Sequence, residues 1–440
     1  MLNCAAQYPG TKAARLKVIP RDQHCISRQN ISNSALKVMS RLRASDYQAY
    51  LVGGAVRDLL LGGHPKDFDV ATDATPEQVY ALFRNSRIIG RRFRIVHVRF
   101  GREIIEVTTF RGHHDNDEAG KSARQSSSGL LLRDNVFGTL EEDAVRRDLT
   151  VNALYYDSKT FAVFDHVNGI EDLERRHIRI IGEPGQRFTE DPVRMLRVMR
   201  FAAKLDFSID NETAAAVPEC AHLLTEIPAA RLFDEFLKLF LAGNAEATLQ
   251  LLQRFDLLPY LFPESAPLLA RDPVAWQLVE GAMCSTDARV AEDKPVTPAF
   301  LLAALLWPVV TDIARGLRDR GEAHLAAVHS AAQQTIAQAG RHLSVPRRFS
   351  LPMRDIWELQ PRLERHGGRK AAELVQHKRF RAAYDFLLLR EAAGEIEAGA
   401  GAWWTEFQTL PENQQQQTAQ EQPGRTRRKR SRRRRPSDAA

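Results

Sequence analysis

The apolar positions along the chain predict an α+β region, a mixed sheet with helices, followed by all-α regions. Tyr50-Leu51-Val52 reads as a buried strand, and residues 55–61 have a helical period that Gly62-Gly63-His64-Pro65 ends. Residues 32–42 predict a helix capped at Ser32 or Ser34 that leads into this strand. Thr75-Pro76-Glu77 opens another, with proline at its first position. Ile88-Ile89 and residues 94–100 and 103–110 read as strands, with a turn at Gly101-Arg102 between the last two. The last of these sets Ile104, Glu106 and Thr108 on one face and Ile105, Val107 and Thr109 on the other. Thr139 and Glu142 form a capping box that opens a helix over residues 139–156, and residues 190–204 predict a helix with acids in its first turn. Residues 232–241 are amphipathic, with Arg231, Glu235 and Lys238 on the polar side. Periodic stretches at 246–258, 298–307, 322–343 and 370–392 predict further helices, and Trp403-Trp404 are expected to pack a terminal helix onto the body.

These patterns divide the chain into an irregular extension (1–30), a head (31–185), a helical neck (186–260), a helical C-terminal domain (261–408) and a tail (409–440). The overall charge of +7 is uneven: residues 411–440 hold nine Lys/Arg against three acids. With the glutamine run at 414–417 and no core-forming residues, that tail is expected to be disordered. Cys4, Cys25, Cys220 and Cys284 lie far apart, which speaks against a disulfide framework or a zinc site and fits a reducing, cytoplasmic setting. No signal peptide opens the chain, and the longest apolar run, 299–310, is too short to span a bilayer and is interrupted by Pro308. It is expected to be a core helix.

Candidate chemistry centres on Asp67-Phe68-Asp69-Val70. On a strand, Asp67 and Asp69 project together while Phe68 and Val70 pack behind. Two neighbouring carboxylates repel, and a hard divalent cation relieves them; Mg²⁺ keeps waters and substrate phosphates in its shell. Ahead of them, Gly53-Gly54 forms a strand-to-helix turn where the backbone can approach a triphosphate. A D-x-D alone recurs by chance, but behind this turn it is the layout for two-metal nucleotidyl transfer. Glu106 is a candidate third carboxylate. Asp148 and Asn152, four apart on the expected helix, would share a face with Arg147 beside them. Arg194, Arg197 and Arg200 recur every third residue on a half-apolar helix and must face acids, solvent or phosphates. His113-His114 reads as part of a polar loop rather than a metal site, and His377-Lys378-Arg379-Phe380-Arg381 mixes cations and an aromatic as RNA-contacting helices do.

The run G-G-A-V-R-D-x(8)-D-F-D, followed by E-V-T-T-F-R, R-R-D-x-T-x-N-A-L and E-D-x-x-R, resembles the polymerase-beta-like nucleotidyltransferases that include CCA-adding enzymes and bacterial poly(A) polymerases. The resemblance implies a template-independent transferase that uses ATP and Mg²⁺ (Mn²⁺ can substitute) on RNA 3′ ends. It further implies that Asp67, Asp69 and Glu106 hold metal, and that Asp148 is catalytic or organises the nucleotide pocket. Gly53, Gly54, Arg57, Arg147, Arg197 and Arg200 would cradle the triphosphate, while Asp191 and Arg194 would read the base. Val18-Ile19-Pro20-Arg21-Asp22-Gln23-His24, Gly90-Arg91-Arg92-Phe93-Arg94, Asp355-Ile356-Trp357-Glu358-Leu359-Gln360 and the arginine-rich tail resemble the poly(A) polymerase branch. A CCA-adding enzyme and an inert RNA-binding homologue are the alternatives; no phosphohydrolase H-D motif points to an appended hydrolase. A monomer is expected, with RNA-decay proteins as possible partners of the tail.

Overall fold

The computed structural model describes residues 16–90, 94–112, 123–125, 131–134, 136–367, 370–411 and 414–415. The expectations for His113, His114, Arg91, Arg92, Phe93 and the arginine-rich tail lie outside the described residues. The chain forms two compact units: residues 1–239 with 247–260, and residues 240–246 with 261–440.

The first unit is built on an eight-stranded sheet. Its elements begin with β1 (Lys17–Ile19), α1 (Asn33–Arg43), β2 (Ala49–Val52), α2 (Gly54–Leu60) and β3 (Asp69–Thr72). They continue through α3 (Pro76–Leu82), β4 (Ser86–Ile89), β5 (Ile95–Phe100), β6 (Glu103–Thr109) and the small pair β7 (Ala123–Gln125) and β8 (Leu131–Asp134). Then come α4 (Leu140–Arg146), β9 (Leu154–Tyr156), β10 (Val163–Asp165) and α5 (Gly169–Glu174). The sheet order is β1-β10-β9-β2-β3-β6-β5-β4. Only β3 and β6 run parallel; the other neighbours are antiparallel. One face, carrying Leu51, Val70, Ile105, Val107 and Tyr156, packs with Val38, Met39 and Val79 of α1 and α3 into the main core. The other presents Val52, Ala71 and Tyr155 to Ala144 of α4.

The structure departs from the sequence pattern where tertiary pairing overrides local propensity. The irregular reading of residues 1–30 misses β1, which pairs with β10 and buries Ile19. Asp67 lies outside the strand expected for it: β2 stops at Val52, opposite Asp69, so the residues before Asp69 have no partner strand there. The helix expected to reach Tyr156 ends at Arg146. Leu149 instead bridges Ile180, Thr150–Asn152 form a 3-10 turn, and β9 joins β2 and β10. Asp148 and Asn152 therefore share no helix face.

The single helix expected over 190–204 is two, because Pro192 disfavours helical backbone at the residue before it. After β11 (His177–Ile178), α6 (Pro184–Glu190) stops at Asp191, whose φ of −153° and ψ of 94° are extended, and α7 (Val193–Leu205) starts afresh. β12 (Ser208–Ile209), α8 (Asn211–Cys220) and α9 (Ala229–Phe240) follow. Glu235, expected on the polar side of α9, is buried and paired with Lys238 at 2.7 Å.

The chain passes between the units through α10 (Ala245–Arg254) and α11 (Leu258–Leu261). The second unit then consists of α12 (Ala266–Arg271), α13 (Pro273–Ala291), α14 (Pro298–Asp319), α15 (His324–His342), α16 (Arg347–Leu363), α17 (Ala371–Val375), α18 (Phe380–Ala392) and α19 (Ala400–Phe407). α13 and α16 carry no expectation in the sequence reading, and the helix expected over 370–392 is the pair α17 and α18. α14 continues through Pro308 to 22 residues, longer than the apolar run suggests, and is long and apolar enough to cross a membrane. Most of its apolar stretch is buried within this unit, where Trp357 Nε1 donates to the Ala303 carbonyl at 3.0 Å. Trp404 is fully buried and donates to the Leu363 carbonyl at 2.8 Å, while Trp403 stacks on Phe407.

The turn from β2 to α2 depends on Gly53, whose φ of 75° and ψ of −140° are open only to glycine without strain. Gly53→Ala is expected to cost about 1–3 kcal/mol in chemical denaturation by strain alone. An unchanged denaturation midpoint would show that the turn relaxes freely.

Candidate functional site

Strand register places the candidate chemistry. Val52 pairs with both Tyr155 and Asp69, Asp69 with Glu106, and Glu106 with His97. Paired residues share a face, so Tyr155, Val52, Asp69, Glu106 and His97 form one row across five strands. Asp69 is partly buried, whereas Asp67 is exposed and Phe68 packs into the core. Burial, the Glu106 charge and, more weakly, Asp67 push the Asp69 carboxyl up to about 6; Arg147 opposes them. Glu106 Oε1 also meets His97 Nε2 at 3.1 Å, a cross-strand partner the sequence reading missed. Among the described residues, no three His, Cys, Asp or Glu are gathered into a formed metal cluster. The donor set nevertheless fits a hard divalent cation, because the acids crowding Asp69 are all oxygen donors whose mutual repulsion such an ion would relieve.

Arg147 is held from behind. Asp143, buried on α4, accepts from the Tyr155 hydroxyl at 2.6 Å and from Arg147 Nε and Nη2 at 3.2 and 3.0 Å. The Arg111 amide donates to its other oxygen at 3.2 Å. Burial alone would lower the Arg147 pKa, but Tyr155 and Asp143 raise it, so the guanidinium stays charged. A Cβ built on Gly53 would lie 3.8 Å from Arg147 Nη1 and 3.9 Å from Asp69 Oδ2. The glycine turn, the acid and the cation thus converge. Neither Asp143 nor Tyr155 was singled out from sequence; the i,i+4 spacing of Asp143 and Arg147 was the available signal.

Arg57 takes a different place from the triphosphate cradle expected of it. It is 1% exposed and donates to Asn152 Oδ1 at 2.5 Å and to Asp58 Oδ1 at 2.8 and 2.6 Å. Its hydrogen bonds tie α2 to the turn before β9.

Around the break between α6 and α7, each cation finds an acid. Arg197 Nε donates to Asp148 Oδ2 at 2.5 Å. Burial pushes Asp148 up, but Arg197 outweighs it and holds the carboxyl down at about 2. Glu190 Oε2 accepts from both Arg187 and Arg194, at 2.8 and 2.7 Å, and Arg194 also donates to the Arg187 carbonyl. Arg187 reaches the Arg146 and Arg147 carbonyls at 2.7 and 2.6 Å, capping the end of α4. Asp191 pairs with Arg231 of α9 at 2.7 Å. Arg200 differs: it lies over the Phe201 ring at 4.6 Å and has no hydrogen bond or ion pair among the described residues. Glu190, Arg187 and Arg231 are absent from the sequence-based set; the i,i+3 and i,i+4 spacings of Glu190 with Arg187 and Arg194 were the available signal, whereas Arg231 meets Asp191 only in the packed structure.

The Asp148–Arg197 pair gives a pH-dependent test. A carboxyl lowered from 3.8 to about 2 contributes stability that is complete above the unfolded pKa and is lost as pH falls through the folded one. Arg197→Met is expected to destabilise the chain at pH 7 by about 3 kcal/mol, leaving a buried charge unpaired. Denaturation midpoints measured from pH 7 downward should converge with the parent as acid protonates Asp148; a constant difference would assign the effect to packing.

Residues 49–179 match the family described as the Poly A polymerase head domain, residues 206–269 a probable RNA and SrmB-binding site of polymerase A, and residues 320–437 the polymerase A arginine-rich C-terminus. The poly(A) polymerase I of Escherichia coli O157:H7 is 49% identical over 403 residues, covering 90% of this chain and 86% of that one. The CCA-adding enzyme of Enterococcus faecalis is 34% identical over 304 residues, covering 66% of this chain and 72% of its own. Among solved structures, the Thermotoga maritima CCA-adding enzyme complexed with tRNA shares the fold, with a TM-score of 0.58 at 19% identity over 86% of this chain and 84% of that one. By identity along nearly its whole length, the chain belongs to the bacterial poly(A) polymerase I family and is a nucleotidyltransferase.

Proposed function

We propose that the chain adds AMP from ATP to RNA 3′ ends without a template. The observation that carries this reading is the 49% identity to a poly(A) polymerase I over 90% of the chain, against 34% over 66% for a CCA-adding relative. The convergence of Gly53, Asp69 and Arg147 supplies a matching geometry. The boundaries 31–185 for the head, 186–260 for the neck and 261–408 for the C-terminal domain belong to the same proposal.

In this reading Asp67 and Asp69, with Glu106, hold Mg²⁺, for which Mn²⁺ can substitute. Metal held by these carboxylates would lower the pKa of the RNA 3′-hydroxyl and offset charge at the α-phosphate. His97 orients Glu106 through its cross-strand contact. The glycine turn lets the backbone approach the triphosphate, and Arg147, fixed by Asp143 and Tyr155, holds a phosphate without having to reorganise. Arg200, which has no acid of its own, is the second phosphate cation, and Arg197 is the third. Arg57 serves by bracing the turn through Asn152 rather than by touching phosphate. Asp148 organises the pocket by orienting Arg197. Asp191 and Arg194, held by Arg231 and Glu190, offer a fixed acceptor and donor to the adenine edge. A cytoplasmic setting fits the free Cys25, Cys220 and Cys284, and a monomer belongs to the same proposal. RNA-decay proteins remain the proposed partners of the tail.

Asp67→Asn and Asp69→Asn should each lower Mg²⁺-dependent pyrophosphate release by at least about 10²-fold. Near-parental turnover in either variant would remove the carboxylates from the mechanism. Long extension of an unstructured RNA with ATP alone is the expected product of the parent chain. Addition of CTP and ATP to a truncated tRNA without such extension would instead make it a CCA-adding enzyme, and the absence of both reactions an inert RNA-binding homologue.

A further inference from the structure

The second unit contains a cavity of about 520 Å³ that the nucleotidyl-transfer reading does not use. It is lined by α13, by the first turn of α14 with the residues leading into it, and by α18 with the two residues before it. Arg289, Lys378, Arg379 and Arg381 line it, and Asp385 is the one carboxylate among the described lining residues. Its apolar surface comes from Phe300, Leu388 and Leu389. The Phe300 ring is held edge-on to Phe386, with centroids 6.1 Å apart.

The cations are only partly neutralised. Arg289 is steered by its Nε and Nη2, which donate to the Pro295 carbonyl at 3.3 and 2.9 Å, a contact that leaves its charge unpaired. Arg381 pairs with Asp385 at 3.0 Å. Arg379 Nε is buried with no hydrogen-bond partner, its acid Asp355 standing 4.0 Å away. Lys378 is exposed and makes no hydrogen bond or ion pair among the described residues. A ligand complementary to this lining carries negative charge at one end and a flat apolar body at the other. The volume suits one small molecule or one residue of a polymer.

We propose that this cavity seats an unpaired nucleotide of the RNA substrate upstream of its 3′ end, with its phosphate on Lys378 and Arg381 and its base against Phe300 and Leu389. The proposal rests on the poly(A) reading, which supplies a single strand bearing one phosphate per nucleotide. Cations joined to an aromatic face bind such strands with little regard to sequence, because every base has a π face. A site of this kind would hold the strand while its 3′ end is released and extended.

The test compares the full chain with the double variant Lys378→Glu/Arg381→Glu, titrating a fluorescein-labelled 20-residue oligo(A) by anisotropy at several salt concentrations. Both side chains are exposed, and matched thermal unfolding checks that the variant is folded. The expected result is an affinity at least about 10-fold weaker and a log–log salt slope shallower by about 1.4, for two phosphate contacts on a single strand. Phe300→Leu, which keeps an apolar side chain there and removes the aromatic face, should weaken binding by roughly fivefold. Unchanged affinity and slope in the double variant would overturn the proposal. So would loss of free AMP binding, or of poly-glutamate binding, with oligo(A) affinity intact; these would assign the cavity to a free nucleotide or to an acidic protein segment. AMP incorporation by the parent chain is measured alongside. Its absence would count against poly(A) synthesis, whereas normal incorporation with unaltered oligo(A) binding in the variant would count against the cavity alone.

Discussion

The buried carboxylate of Asp143 is the contact on which the rest of the first unit's chemistry leans. It lies under the sheet face that carries Asp69, and it gathers the Tyr155 hydroxyl, the Arg147 guanidinium and the Arg111 amide on its two oxygens. A charge buried there without partners would be costly. With them, it fixes a cation beside the glycine turn and the crowded acids of β3 and β6. The site is therefore a balance of two local charges: a carboxylate, Asp69, raised by burial and by the neighbouring acids, and a guanidinium whose position is set before any substrate arrives.

The second pattern is the pairing of arginines around the Pro192 break. Arg197, Arg194, Arg187 and Arg231 each have an acid, and those acids come from α6, from the break or from the stretch after α4. Such pairs add little net stability, since desolvation offsets most of the attraction, but they restrict side-chain geometry. Asp191 and Arg194 are thereby held in fixed orientations by Arg231 and Glu190. Arg200 differs from them: among the described residues it has no ion pair and lies over the Phe201 ring.

Much of this was legible in the sequence. The capping box at Thr139 and the cap at Thr75 mark helix starts correctly, and of the alternatives Ser32 and Ser34 it is Ser32 that caps, because a cap is a local hydrogen bond. The alternation in β6 reports its buried face correctly, because the core rewards it residue by residue. What was not legible depended on distant partners. Residues 149–156 look helical until β2 and β10 offer β9 its hydrogen bonds. The halving of the 190–204 helix was in principle readable from Pro192, whose effect on the preceding residue is local. The resemblance makes Arg57 a phosphate ligand, and only the packed structure shows its guanidinium enclosed by Asn152, Asp58 and Phe201.

The parallel pairing of β3 with β6 has a consequence for how the molecule reaches its final state. The pair β5–β6 and the neighbouring β4–β5 can form as hairpins between adjacent segments, and β2 meets β3 across one short helix. β3 and β6 can meet only after the intervening crossover has closed, and closing a long loop is slow relative to forming hairpins. That closure also brings Asp69 level with Glu106. This pairing is thus one that forces like charges together, so acid repulsion opposes it. A divalent cation held by these carboxylates, as proposed, would ease that pairing and so add to the stability of the sheet as well as to its chemistry.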